Sequence, residues 1–138
     1  MSVRQLRLVV TVDDFDEAVR FYRDVLGLDE IGAISGDHGS VVILDAGRAT
    51  LELSDLAHAE FIDEVEVGHR VAGHVRVAFQ VEDGAEATRR LASAGATVLA
   101  APRTTPWGSL NSRLEGPAGL QLTLFEDRPG DAGEQFVP

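Results

Sequence analysis

The residues best able to do chemistry lie on the polar faces of short alternating runs. Arg7 and Thr11 alternate with Leu6, Leu8, Val10 and Val12, and Thr50, Glu52 and Ser54 alternate with Leu51 and Leu53. His74, Arg76 and Gln80 alternate with Val75, Val77, Phe79 and Val81, and Gln121 and Thr123 with Leu120, Leu122 and Leu124. A period of two sends one set of side chains to each face of a strand, so each run has an aliphatic and a polar face. The polar faces must meet water, a second subunit or a ligand cavity. Were these polar faces to meet in one cleft, Arg7, Arg76 and Glu52 would leave a local charge of about +1, which suits an anionic partner because arginine's forked donors match carboxylate or phosphate. The same three groups could instead neutralise one another as an internal salt-bridge network. His74 shares the face of Arg76 and, with Glu52, supplies two potential metal ligands, fewer than the three or more that a tight site takes.

Other chemistry is thinly represented. Trp107, between Pro106 and Gly108, reads either as a stacking platform for an aromatic ligand or as the anchor of a turn. His38, His58 and His69 fall in expected loops or linker and read as surface histidines. The stretch Gly116-Pro117-Ala118-Gly119 is a turn rather than a phosphate loop, because no helix follows to offer its N-terminus. No nucleophile, histidine and acid can be assembled into a triad. All twelve basic residues are arginine, so lysine Schiff-base chemistry is excluded; with no cysteine, so are disulfides and thiolate metal sites.

The elements that would position these groups follow from periodicity. The first half reads as a strand over 5–12, a helix capped by Asp13 or Asp14 and ended at Gly27, then strands near 29–34, 40–44 and 49–54. In the helix, Phe15, Ala18, Val19, Tyr22, Val25 and Leu26 keep helical spacing, and Tyr22 falls in its apolar phase. The second half repeats the plan: a strand over 74–81, a helix from Glu82 or Asp83 to Ala94 and Gly95, and strands near 97–100, 109–115 and 120–125. Val12-Asp13-Asp14 matches Val81-Glu82-Asp83, and Leu51-Glu52-Leu53 matches Leu122-Thr123-Leu124, which points to an internal duplication. Residues 5–55 and 74–126 are thus two modules of one domain spanning 1–138. A linker over 56–73 holds a short helix around 59–65, and a mobile tail runs over 127–138. The aliphatic strand faces, Leu6, Leu8, Val10, Val75, Val77 and Phe79 included, are expected under the two helices.

The 138 residues suffice for one core, with 44% hydrophobic and 25% charged residues. The formal charge of −11 argues against a nucleic-acid partner, whose phosphates require clustered cations. No apolar run is long enough for a membrane span, and the N-terminus lacks the plan of a signal peptide; a cytoplasmic location is expected.

Residues 6–28, Leu-Arg-Leu-Val-Val-Thr-Val-Asp-Asp-Phe-Asp-Glu-Ala-Val-Arg-Phe-Tyr-Arg-Asp-Val-Leu-Gly-Leu, resemble the opening of the vicinal oxygen chelate superfamily of glyoxalases, bleomycin-resistance proteins and dioxygenases. Pro106-Trp107-Gly108 and Gly116–Leu122 resemble its closing hairpin, and the likeness runs over roughly 5–126. The resemblance implies an α+β fold in which two βαβββ modules form a half-open, barrel-like mixed sheet with helices on the outer face, and a homodimer. It also implies metal ligands of His, Gln or Glu type on the first and last strand of each module. Carried over, those positions are Arg7, Glu52, Arg76 and Thr123, of which only Glu52 has a suitable side chain. An arginine has no lone pair to donate. At an assumed 6 Å and an effective dielectric of 20, each repelling charge pair costs about 3 kcal/mol. The expectation is therefore a small anionic or aromatic ligand bound without metal by Arg7, Glu52, His74, Arg76, Trp107 and Thr123. The first alternative is a lyase, isomerase or ring-cleaving dioxygenase with Zn, Ni, Fe or Mn on Glu52 and His74, where Glu52 would be the catalytic candidate. The second is a non-catalytic, dimeric interaction module, marked by a filled, salt-bridged cavity.

Overall fold

The computed structural model describes residues 2–128 and is α+β, with one open eight-stranded mixed sheet. The first half comprises β1 (Val3–Thr11), α1 (Phe15–Val19, continuing as π-helical turns over Arg20–Val25), β2 (Glu30–Gly36), β3 (Gly39–Asp45) and β4 (Ala49–Ser54). After α2 (Leu56–Glu66), the second half follows with β5 (Val75–Val81), α3 (Gly84–Ser93), β6 (Thr97–Thr104), β7 (Ser109–Glu115) and β8 (Gln121–Asp127). Asp127 thus belongs to β8 rather than to the tail; positions 129–138 lie outside the described residues. No helix among the described residues is long and apolar enough to cross a membrane.

Sheet order is β2-β3-β4-β1-β5-β8-β7-β6, with the two halves joined by antiparallel pairing of β1 with β5. Each half carries one parallel pair, β1 with β4 and β5 with β8, because its helix crosses over between them. The helices begin where carboxylates cap them: Asp14 accepts from the Glu17 amide at 3.1 Å, and Asp83 accepts from Glu86 at 3.1 Å. These bonds satisfy amides that the first turn otherwise leaves unpaired.

The helices gather two separate apolar cores on one side of the sheet. Val19, Val42, Leu44 and Leu53 form one, with Val10, Phe15 and Tyr22 against it. Val81, Ala87, Leu114 and Leu124 form the other, with Phe79 and Leu91 against it. The expectation that every aliphatic residue of β1 and β5 lies under a helix fails here. Leu6, Leu8 and Val75 stay 38%, 38% and 37% exposed, because α1 and α3 sit over the flanks of the sheet and leave its central pair bare.

The opposite, concave side holds the polar residues, and the linker helix α2 lies across it, touching β3 at one side and β7 at the other. The β2–β3 turn clasps the start of α2. Gly39, at φ +82°, lies so close to the His58 amide and the Asp55 carboxylate that any side chain there would collide with both. The separate cores generate a direct test. Leu114→Ala, at a fully buried position, should cost about 2–5 kcal/mol by urea denaturation, and Ile31→Ala, on the exposed edge strand β2, less than about 1 kcal/mol. Equal losses would contradict this placement of the core.

Candidate functional site

The concave face is organised by a buried ionic network that ties α2 to the sheet. Asp63 and Glu66 lie three residues apart, hence on one face of α2. Arg113 on β7 is fully buried; its Nη1 donates to Asp63 at 2.8 Å, and its Nη2 and Nε donate to Glu66 at 2.8 and 3.2 Å. Asn111 donates to the other Glu66 oxygen at 2.8 Å. The second Asp63 oxygen accepts from Arg70 at 2.7 Å and from the Val71 and Ala72 amides at 2.9 and 2.8 Å, fixing the chain beyond α2. Burial pushes Asp63 up, but these amides and guanidiniums hold it below the ordinary carboxylate range. Burial likewise opposes the charge on Arg113, and Glu66 and Asp63 together raise it above its usual value.

A second set of buried polar groups is far less well matched. Arg76 on β5 is 8% exposed and donates one hydrogen bond, to the Thr123 hydroxyl at 3.0 Å, with no carboxylate within ion-pair distance among the described residues. The Thr123 hydroxyl in turn donates a hydrogen bond to Glu66 at 3.2 Å, linking Arg76 to the network. Glu52 on β4 is 1% exposed, and neither of its oxygens meets a donor among the described residues. The same holds for the Thr50 hydroxyl, both ring nitrogens of His58 and the indole nitrogen of Trp107. Buried polar atoms almost always have partners, so this concentration on one face is a departure from ordinary protein interiors.

Protonation follows the burial. Desolvation pushes the Glu52 carboxyl above its ordinary value, and the attraction of Arg76 and Arg7 only partly opposes it. Desolvation lowers Arg76, with Glu66 pulling the other way. The His58 imidazole falls to about 4 for the same reason, so it is neutral near pH 7 and offers one donor and one acceptor.

The sequence-derived candidates are only partly brought together. Arg7 shares the concave face: its neighbour across β1–β5 is Ala78, beside the pair of Val9 with Arg76. It is half-buried, bonds Gln5 at 2.7 Å and lies 4.6 Å from the centre of the Phe125 ring. His74 is exposed at the bend before β5, where its carbonyl accepts from the Thr11 amide at 2.9 Å. Trp107 is 5% exposed in the turn before β7, with its ring 6.2 Å from Phe61 of α2. His58, expected at the surface, is buried where α2 meets the β2–β3 turn. Sequence reading missed Asp63, Glu66, Asn111 and Arg113; the alternation of Ser109, Asn111 and Arg113 with Leu110, Ser112 and Leu114 was the available signal.

The donors do not suit a divalent cation. Two of the four positions carried over as metal ligands hold guanidinium groups, Glu66 and Asp63 are engaged by Arg113, and His74 is exposed whereas Glu52 is buried. Among the described residues no group of three His, Cys, Asp or Glu side chains is placed to hold a metal ion. Beside Arg76 there is a cavity of about 10 Å³, lined by Val9, Ser54, Ile62, Asp63 and Gly73, roughly the space of one water.

Comparison with known proteins shows the family and the fold. The model of the Glyoxalase/Bleomycin resistance protein/Dioxygenase superfamily matches residues 4–124. Among solved structures, a glyoxalase/bleomycin resistance protein/dioxygenase superfamily member from Vibrio splendidus 12B01 superposes with a TM-score of 0.66 at 16% identity, over 91% of this chain and 100% of that one. Methylmalonyl-CoA epimerase from Mycobacterium tuberculosis gives 0.62 at 20%, over 93% and 89%. A mutant of 4-hydroxymandelate synthase from Streptomyces coelicolor gives 0.63 at 20%, over 97% of this chain but 43% of that one. No curated protein sequence matches the chain.

Glu52 supplies the test of this site. A carboxyl harder to ionise folded than unfolded keeps its proton to higher pH in the native state. Its contribution to stability is therefore complete below its ordinary value of 4.5 and is lost as pH rises through the raised one. Glu52→Gln should match the parent's melting temperature near pH 4 and exceed it at pH 7–8. A deficit that grows with pH would show instead that Arg76 and Arg7 hold the carboxylate more strongly than burial penalises it.

Proposed function

Because the chain belongs to the Glyoxalase/Bleomycin resistance protein/Dioxygenase superfamily, we propose that it uses the superfamily's concave face, without a metal, to bind a small anionic molecule, aromatic or not. The observation that carries this reading is the buried pair Arg76 and Glu52, one guanidinium with a single neutral partner and one carboxyl with none among the described residues. A ligand carboxylate or phosphate would take the unused N–H groups of Arg76, and a protonated Glu52 would donate to a neighbouring ligand oxygen. Arg7 on the rim adds positive charge. The rings of Phe61 and Trp107, with centroids 6.2 Å apart, would offer stacking partners to an aromatic portion.

The small cavity beside Arg76 means that binding requires α2 to move. Affinity is then reduced by the fraction of molecules in which the helix is displaced. Such a protein would act by sequestering its ligand, in the compartment without disulfides that its sequence suggests. A second reading has a specific observation behind it: Arg113 bridges β7 to Asp63 and Glu66 of α2, which favours a fold kept for interaction rather than binding.

Thermal unfolding separates the two. Carboxylates or phosphate should raise the melting temperature increasingly with concentration, Zn and Ni should not, and Arg76→Gln should abolish the shift while the variant remains folded. A parent that no anion stabilises, together with an Arg76→Gln variant that loses its fold, would favour the interaction reading. Stoichiometric metal with Glu52 among its ligands would overturn both.

A further inference from the structure

We propose that the first half of α2, residues 56–61, is a gate over the concave face that opens by local unravelling, with the Phe61 ring as its latch, while the second half stays anchored. The proposal rests on the ligand reading only for what the gate admits; the opening itself is measured without a ligand.

The two halves of α2 are held by different kinds of contact. In the second half every carboxylate oxygen of Asp63 and Glu66 is engaged, by Arg113, Arg70, Asn111, Thr123 and the Val71 and Ala72 amides. The Asp63 carbonyl also accepts from the Val67 and Gly68 amides at 2.7 and 3.0 Å, which closes the helix on the same residue. The ion pairs of α2 among the described residues are those of Asp63 and Glu66, so residues 56–61 are held without any. Asp55 caps this half, accepting from the His58 amide at 2.9 Å and from the Ser40 amide at 3.1 Å. Beyond the cap, rings hold it. Phe61 stacks on His38 of the β2–β3 turn, with centroids 4.0 Å and planes 16° apart, and packs near Trp107 of the turn before β7. One side chain thus joins two turns from opposite flanks of the sheet.

The same region carries a polar cost in the closed state. Of the six buried side-chain atoms without a partner among the described residues, three are the ring nitrogens of His58 and Trp107. The backbone of His38 lies near the His58 ring but outside hydrogen-bonding geometry. Unravelling would give these atoms water, which relieves the penalty of burying them unpaired. Opening the second half would instead break paired charges. Local opening is drawn from the weakest-held segments, and here that is the first half. Ala59 and Ile62 line the small cavity beside Arg76, so unravelling from the first turn would uncover that guanidinium and leave its Thr123 and Glu66 links in place.

Native-state hydrogen exchange and acrylamide quenching of Trp107, the sole tryptophan, test the gate. In the parent, the amides of His58 and Ala59 should be about tenfold or more less protected than those of Val71 and Ala72, which report the Asp63 anchor. Phe61→Ala should lower protection over 58–61 about tenfold further and raise Trp107 quenching, with Val71 and Ala72 changed less than about twofold. His58→Phe, which puts carbon in place of both unpaired nitrogens, should shift both readouts the opposite way, and His58→Leu serves should that variant fail to fold. Inorganic phosphate should bind Phe61→Ala more tightly than the parent by about the factor by which protection falls, because the open fraction rises. If phosphate binds neither protein while the exchange pattern holds, the gate stands and the ligand reading fails. Protection over 58–61 that is unmoved by Phe61→Ala, or that falls together with that of Val71 and Ala72, would overturn the proposal.

Discussion

The arrangement of the concave face depends on one buried guanidinium. Arg113 sits beneath α2 with no exposure and must be neutralised there, because a buried charge without partners carries a penalty of several kcal/mol. Among the described residues the carboxylates that reach it, Asp63 and Glu66, come from α2, and their shared helical face lets one arginine take both. The linker helix is therefore held against the sheet by charge as much as by the apolar contacts of Ala59 and Ile62. Asp63 then ties down the two residues that lead toward β5, so the path of the chain between the halves follows from the same ion pairs.

This network sets the electrostatics of everything beside it. Because Asp63 and Glu66 are engaged by Arg113, Arg76 is left with a hydroxyl, and the buried Glu52 resists ionisation. Among the described residues no group of three His, Cys, Asp or Glu side chains gathers in this region, and Arg76 donates to the Thr123 hydroxyl. The fold alone would not have indicated this, because the architecture of the superfamily hosts several activities. Side chains at a few strand positions make the difference, chiefly the arginines at 7 and 76.

Much of the architecture was legible in the sequence. Period-two alternation identified β1, β4, β5 and β8 and the faces of their residues, and Asp14 and Asp83 marked the helix starts. The pairing of α2 with β7 was not legible. The i, i+3 spacing of Asp63 and Glu66 shows that they share a face, but their partner lies 50 and 47 residues away, and nothing local names it. Alternation also tells which way Leu6, Leu8 and Val75 point without telling what covers them. Their exposure depends on where α1 and α3 settle, which tertiary packing decides. His58 shows the same limit in reverse, since an imidazole expected at the surface is buried by the clasp of the β2–β3 turn.

The claim that Arg113 holds α2 shut over the concave face is tested most directly by native-state hydrogen exchange of the parent and Arg113→Met. Removing one partner of a buried ion network costs about 3–5 kcal/mol, and that loss should appear as local opening. The amides of residues 56–66 should then exchange about a hundredfold faster or more, with the amides of β1 and β5 nearly unchanged. Unaltered protection of α2, or an equal loss of protection in every element, would contradict the account.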